Sequence, residues 1–253
     1  MHRRQLLRHL AAGAACLCPI CALPARAEDS HWGYDGPGGP ADWGKLAPEY
    51  GACGLGREQS PVDLSKAIPA MTGEPLLSWK PVALEVVNNG HTIQVNCENG
   101  GGLVLDGMAY DLVQFHFHHP SEHTIDGIPA EMEIHFVHRA MNGALAVLGV
   151  MVHAGAGNST LETVWRAMPA KPGDTTKTDI QLQPSGLLPR HATSYRYAGS
   201  LTTPPCSEVV SWVVYRQAIT ASPEQIARFA ALFPNNARPV QPQNRRKLLL
   251  DIL

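Results

Sequence analysis

Four histidines fall within the ten residues Gln114 to His123, which read QFHFHHPSEH, and two of them, His116 and His118, are separated by a single phenylalanine. Neutral imidazole is the commonest metal ligand in proteins, because one ring nitrogen offers a lone pair while the other can be held by a neighbour. A second stretch, Glu131 to His138, reads EMEIHFVH and places Glu133 and His135 two residues apart. Three imidazoles meeting at one point are the ligand set of a catalytic zinc, which keeps its fourth tetrahedral position for water.

Positioning such a set falls to strands, on which alternate side chains point to opposite faces. Phe115 and Phe117 then share one face and Gln114, His116 and His118 the other; Met132, Ile134 and Phe136 oppose Glu131, Glu133, His135 and Val137 in the same way. Each strand has an apolar face suited to a core and a polar face carrying histidine. Twelve residues separate Pro120 from Glu133, enough for a turn and a return, so antiparallel pairing brings His135 beside His116 and His118. Gln114 and Glu133 precede His116 and His135 by two residues on the same faces, where they can accept the second ring proton. His119, His123 and His138 fall on other faces or in the turn and read as structural or exposed. His31, His153 and His191 have no local pattern.

The remaining apolar runs are short and β-like, at 82–87, 91–97, 103–105, 144–153 and 209–215, with Gly, Pro and Asn between them, so the chain reads as mainly β. Ser159 to Glu162 and Ser222 to Gln225 have capping-box spacing, the second with Pro223 at the first helical position, and predict two helices. Residues 29–61, rich in Gly and Pro, read as irregular surface chain. The apolar stretch 247–253 reads as a cover for a core edge or a contact with a second subunit.

With 253 residues, 44% of them hydrophobic, the chain suits one substantial core. Residues 1–27 read as a cleaved export signal: Arg3, Arg4 and Arg8 precede an apolar run at 10–23, and Ala25-Arg26-Ala27 is a small-x-small cleavage pattern ending at Ala27. Arg3-Arg4 leaves both the general and the twin-arginine route open. The apolar run is shorter than the roughly 20 residues of a membrane span. Residues 28–253 are then a single domain without a membrane-spanning segment. Cleavage leaves 16 basic against 22 acidic residues, a net charge of minus 6, which disfavours a nucleic-acid partner. Cys53, Cys97 and Cys206 remain, enough for one bridge and one free thiol in an oxidising compartment. Neither a CxxC pair nor a Cys/His cluster survives, which argues against a structural thiolate zinc site.

Four segments together, NNGHTIQV, QFHFHHPSEHTIDG, EMEIHFVH and SLTTPPCSEVVSW, closely resemble the α-class carbonic anhydrases, in particular their exported bacterial branch. The resemblance runs from about His31 onward. It implies a large twisted, mostly antiparallel sheet of about ten strands with a few short surface helices, and a zinc ion (Zn2+) in a conical cleft. It implies reversible hydration of carbon dioxide to bicarbonate, in the periplasm or outside the cell, with homodimers as a family precedent. Carried over by position, His116, His118 and His135 become the zinc ligands, with Gln114 and Glu133 as their acceptors. Thr202 and Glu122 become the hydrogen-bonded pair that aims the attacking oxygen, and Thr203 a residue of the cleft wall. Val137, Val147, Leu201 and Trp212 become the apolar pocket for carbon dioxide, and His91 the proton shuttle. Cys53 and Cys206 become a disulfide, leaving Cys97 free. Gln94 stands where some members have asparagine, and His119 where animal members have tryptophan.

Two other readings compete. His116-x-His118 followed by Glu122 also has the spacing of a cupin metal motif for iron or manganese, although a second cupin motif is missing. A non-catalytic zinc-binding protein on an anhydrase scaffold is the other, and the presence of all three histidines, Thr202 and Glu122 argues against it.

Overall fold

The structure is a computed structural model that describes residues 31–252; the expected export signal lies outside the described residues. The β-branched and aromatic runs, bounded by turn-forming Gly, Pro and Asn, form fifteen strands. These are β1 (Ile68–Ala70), β2 (Leu76–Leu77), β3 (Val82–Asn88), β4 (Ile93–Asn96), β5 (Gly102–Leu105) and β6 (Met108–His118). They continue with β7 (Thr124–Ile125), β8 (Ile128–Pro129), β9 (Met132–Arg139), β10 (Leu145–Ala154) and β11 (Thr175–Leu182). The last four are β12 (Ser194–Gly199), β13 (Val210–Tyr215), β14 (Ile219–Ala221) and β15 (Leu249–Asp251).

Thirteen strands form one sheet, ordered β1-β15-β12-β13-β10-β9-β6-β4-β3-β11 along its main path, with β14 beside β10, β5 beside β6 and β2 beside β5. β7 and β8 form a separate hairpin. The sheet is mostly antiparallel as expected, with parallel pairings in detail: β13 and β14 run parallel to β10, and β1 runs parallel to β15. Parallel neighbours need a long crossover rather than a hairpin, and the chain between β10 and β13 supplies one, carrying a helix, β11 and β12 on its way.

The centre of the sheet is β6, β9 and β10. Antiparallel pairing sets His116 opposite His135 and His118 opposite Glu133, and Val147 lies between Val137 and Trp212 on its two neighbours. One residue, Val113, is extra in β6: Leu112 pairs with His138 but Gln114 pairs with Val137. This bulge re-aims the strand before its functional stretch begins. Phe115, Phe117, Ile134 and Phe136 are fully buried in the main core, with Leu148 and Val150. The opposite face buries Val147, Tyr197 and Trp212 with Val62 and Leu64. Burying each large apolar side chain contributes on the order of 2 kcal/mol, so both faces hold the register.

Helices are short: α1 (Trp43–Leu46), α2 (Gly51–Leu55), α3 (Ser159–Arg166) and α4 (Pro223–Ala230). The capping box of α4 is present as expected, Ser222 with Gln225. In α3 the cap is Asn158 rather than Ser159, because the Asn158 side chain reaches both Thr160 N–H and Leu161 N–H. Residues 29–61 are less irregular than expected where described: α1, α2 and two 3-10 turns lie there, anchored by the fully buried Trp43, whose Nε1 donates to Gly33 O and Gly38 O. Helices of one turn are too short to show a periodic pattern. A disulfide joins Cys53 in α2 to Cys206, 153 residues away, and Cys97 is buried and free. The apolar C-terminal stretch becomes β15, inserted between β1 and β12.

Candidate metal centre

His116, His118 and His135 come together as expected: one ring nitrogen from each lies within 4.8 Å of the others. The rings stand at steep angles, 70° between His116 and His118 and 88° between His116 and His135, so they approach a shared point from different directions. Each ring is held by its other nitrogen. His116 Nδ1 donates to Gln114 Oε1 at 2.9 Å, His118 Nδ1 to the main-chain oxygen of Asn236 at 2.8 Å, and His135 Nε2 to Glu133 Oε1 at 2.9 Å. These acceptors fix the tautomers and leave Nε2, Nε2 and Nδ1 with free lone pairs.

The fit to a cation rests on an orphaned atom. His118 Nε2 is buried without a hydrogen-bond partner, and such an atom is costly unless something else binds it. Burial also holds all three imidazoles neutral: it drives His116 well below the ordinary histidine range, His118 down to about 4, and lowers His135. Neutral rings are the form that binds metal.

Glu133 is saturated. Its Oε2 accepts from the main-chain N–H groups of Glu122 and His123 at 2.9 Å each, and its Oε1 from His135 and, at 2.7 Å, from His123 Nδ1. Burial pushes its pKa up, but the attraction of His123 and His135 and their hydrogen bonds outweigh that and hold it well below the carboxylate range. His123 lies in the loop after β6 and is fully buried, bridging Glu133 to Tyr197 Oη, which in turn meets Ser60 Oγ. His123 also forms a compact group with Glu133 and His135, but both its nitrogens and the Glu133 oxygens are already engaged, which makes it structural as expected. His138, buried between Trp79 Nε1 and Phe136 O, and His119, whose Nδ1 meets Pro234 O, are structural too.

Glu122 is buried beside the ligands, 3.8 Å from His135 Nδ1. Burial raises its pKa to about 7, opposed by His135, by the main-chain N–H of Arg238 and by Thr202. Arg238 N–H meets Oε1 at 2.9 Å. Thr202 pulls on the carboxyl as a donor, yet Oε2 has no partner at full hydrogen-bond geometry, so the contact between the two is a loose one. The loop carrying Thr202 runs from β12 to β13 and is pinned by the disulfide at Cys206 and by Cys206 N–H on Thr203 O. Val137, Val147, Leu201 and Trp212 share one apolar cluster, and the Trp212 ring lies 4.9 Å from that of His135.

A cavity of about 150 Å³ opens over the histidines, lined among others by His116, His118, Gln94, Thr203 and His91. A larger surface hollow of about 510 Å³, lined by Arg57, Arg245 and Arg246, holds no converging ligand set. His91 sits at the turn between β3 and β4, its ring stacked on Trp32 at 3.7 Å and 6.1 Å from His31. Sequence reasoning missed Trp32, Tyr197, Asn236 and Arg238. No local motif marks them, because each acts through a contact distant in the chain.

The sequence profile of the family described as eukaryotic-type carbonic anhydrase matches residues 38–251. A carbonic anhydrase of Nostoc sp. is 44% identical, over 98% of this chain and 97% of its own. One from Pectobacterium carotovorum is 41% identical, over 93% and 97%. Among solved structures, the α-carbonic anhydrase of Thermovibrio ammonificans in complex with the inhibitor sulfanilamide superposes with a TM-score of 0.85 at 46% identity, covering 87% of this chain and 98% of that one.

Proposed function

The chain belongs to the eukaryotic-type, or α-class, carbonic anhydrase family, and from that premise we propose that it is a zinc enzyme hydrating carbon dioxide reversibly to bicarbonate and a proton. The observation that carries the reading is the convergence of three neutral imidazole lone pairs, each ring fixed from behind by a separate acceptor. His116, His118 and His135 would hold the zinc, which would supply a water acidified to a pKa of about 7, a value for which carbonic anhydrase itself is the standard example rather than one obtained from this chain. Three uncharged ligands leave the cation's charge undiminished.

The other residues divide the remaining work. Gln114, Glu133 and the Asn236 carbonyl keep the ligand tautomers fixed. Thr202, with its own proton directed to Glu122, offers an oxygen lone pair to the cleft, and Thr203 continues the cleft wall. Val137, Val147, Leu201 and Trp212 form an apolar surface on which carbon dioxide rests without being polarised. His91, at the cavity mouth, takes up the proton and passes it to buffer. The disulfide and the amino-terminal signal pattern support export to the periplasm or beyond the cell, with residues 28–253 as one catalytic domain. The cupin reading is not favoured: the third ring at the site is His135, while Glu122 is engaged by Arg238.

Stopped-flow measurement of carbon dioxide hydration, paired with metal analysis of protein purified without added metal, tests the reading. Zinc near one equivalent and hydration above the uncatalysed rate are expected. Stoichiometric iron, or zinc-loaded protein without hydration activity, would overturn it.

A further inference from the structure

Asn236 follows α4 in irregular chain and is only 1% exposed. Four of its hydrogen bonds go to the end of β6, the strand that carries His116 and His118. Its main-chain N–H donates to His119 O at 3.0 Å, its Oδ1 accepts from His119 N–H at 2.8 Å, its carbonyl accepts from His118 Nδ1 at 2.8 Å, and Nδ2 donates to Phe117 O at 2.9 Å. The second Nδ2 proton leaves the strand and meets the main-chain oxygen of His91 at 2.9 Å. An asparagine amide supplies two donors and an acceptor from one short side chain, and here all are used.

The turn that carries His91 is otherwise tied mostly to itself. Asn89 Oδ1 accepts from His91 N–H and Thr92 N–H at 2.9 Å each, and Gly90 takes the left-handed φ of 87° that the turn requires. Thr92 Oγ1 reaches Phe117 O at 2.5 Å. At His91 itself the tie to β6 is Asn236.

We propose that Asn236 is a positioning residue for proton transfer: by fastening the main chain of His91 to the ligand strand, it fixes where the His91 ring stands relative to His116 and His118. The proposal rests on the reading of His91 as the shuttle. A misplacement of about 1 Å can cost about 100-fold where reacting groups must align directly. A relay through water tolerates more, so the loss here is a smaller one, in the range that general acid–base groups contribute.

The test compares Asn236→Ala and the milder Asn236→Ser with His91→Ala and the unaltered protein, all zinc-loaded. In weak buffer, kcat of both Asn236 variants falls by about 5-fold or more beyond whatever loss kcat/KM shows through the His118 contact, and imidazole restores that excess. A second readout needs no metal: the His91 ring protons, shifted upfield in NMR spectra by the Trp32 stack, move towards unstacked positions in both variants. Unchanged kcat and unchanged His91 signals, with His91→Ala impaired, would overturn the role of Asn236 and leave the shuttle standing. A His91→Ala enzyme with normal kcat in weak buffer would overturn the shuttle and this proposal with it. Equal losses of kcat and kcat/KM without imidazole rescue, or failure of both variants to fold, would make Asn236 a structural residue and also overturn it.

Discussion

Glu133 holds the ring of His135 from two positions earlier on the same strand, through Oε1 and Nε2 at 2.9 Å. The same carboxylate takes three further donors, two main-chain N–H groups and His123 Nδ1. Glutamine is nearly the same shape but has one acceptor oxygen, so Glu133→Gln turns an NH2 group towards donors. Metal affinity is expected to fall by about 10- to 100-fold, read by competition with a chelator. Stability should fall as well, by roughly 1–3 kcal/mol, because buried donors lose their acceptor. An affinity equal to that of the unaltered protein would show that Glu133 does not tune the ligand.

His118→Ala removes the ring whose Nε2 lacks a partner. Zinc content after dialysis should drop to near zero and hydration to the uncatalysed rate. The fold should persist, because Phe115 and Phe117 anchor β6 from its other face. Thermal melting and metal analysis of one sample separate these outcomes, and retained zinc with full activity would remove His118 from the site.

His91 has its pKa lowered first by burial and then by the like charge of His31. Only neutral His91 can accept a proton, so kcat should rise with pH through its pKa. His31→Ala removes the repulsion, raises that pKa and moves the rising limb of kcat to higher pH. The limb of kcat/KM should stay in place. Rate profiles in weak buffer decide this, and a displacement to lower pH would contradict it.

Burial pushes the Cys97 thiol up to about 12, so at pH 8 almost none of it is thiolate. Protein lacking residues 1–27, native and unreduced, should not react with a thiol reagent, and the same protein unfolded and unreduced should react at Cys97 alone. Reducing Cys53–Cys206 removes a cross-link across 153 residues that contributes roughly 5 kcal/mol in the chain-entropy model. A lower melting temperature and slower hydration are both expected, since the bridge pins the loop of Thr202. Peptide mapping that found Cys97 bridged would refute the pairing.

The faces of β6 and β9 were legible because a period of two is visible in any strand that is apolar on one side: Phe115 and Phe117 against His116 and His118, Ile134 and Phe136 against Glu133 and His135. The bulge at Val113 was not, since an extra residue leaves no mark until its partner strand is known. The parallel pairing of β10 with β13 was hidden for the same reason. Thr202, Glu122 and His91 were recognisable through family motifs, and the residues alone would not have named them. Asn236 and Arg238 stayed invisible because their contacts with the site cross more than a hundred residues of chain and leave no local motif. Asn158 was passed over for Ser159 because both are good caps and only the backbone chooses between them.

The insertion of β15 between β1 and β12 sets an order of events. A ribosome delivers β1 early, yet Ile68 must wait for Leu249, its partner in the sheet. Asn236 and Arg238, which brace His118 and Glu122, emerge nearly as late. The three histidines are thus synthesised near the middle of the chain and organised by its last residues. A chain still being made carries loose imidazoles and an unpaired strand edge, open to any sticky neighbour. A converged three-histidine group therefore belongs to the folded chain with Asn236 and Arg238 in place.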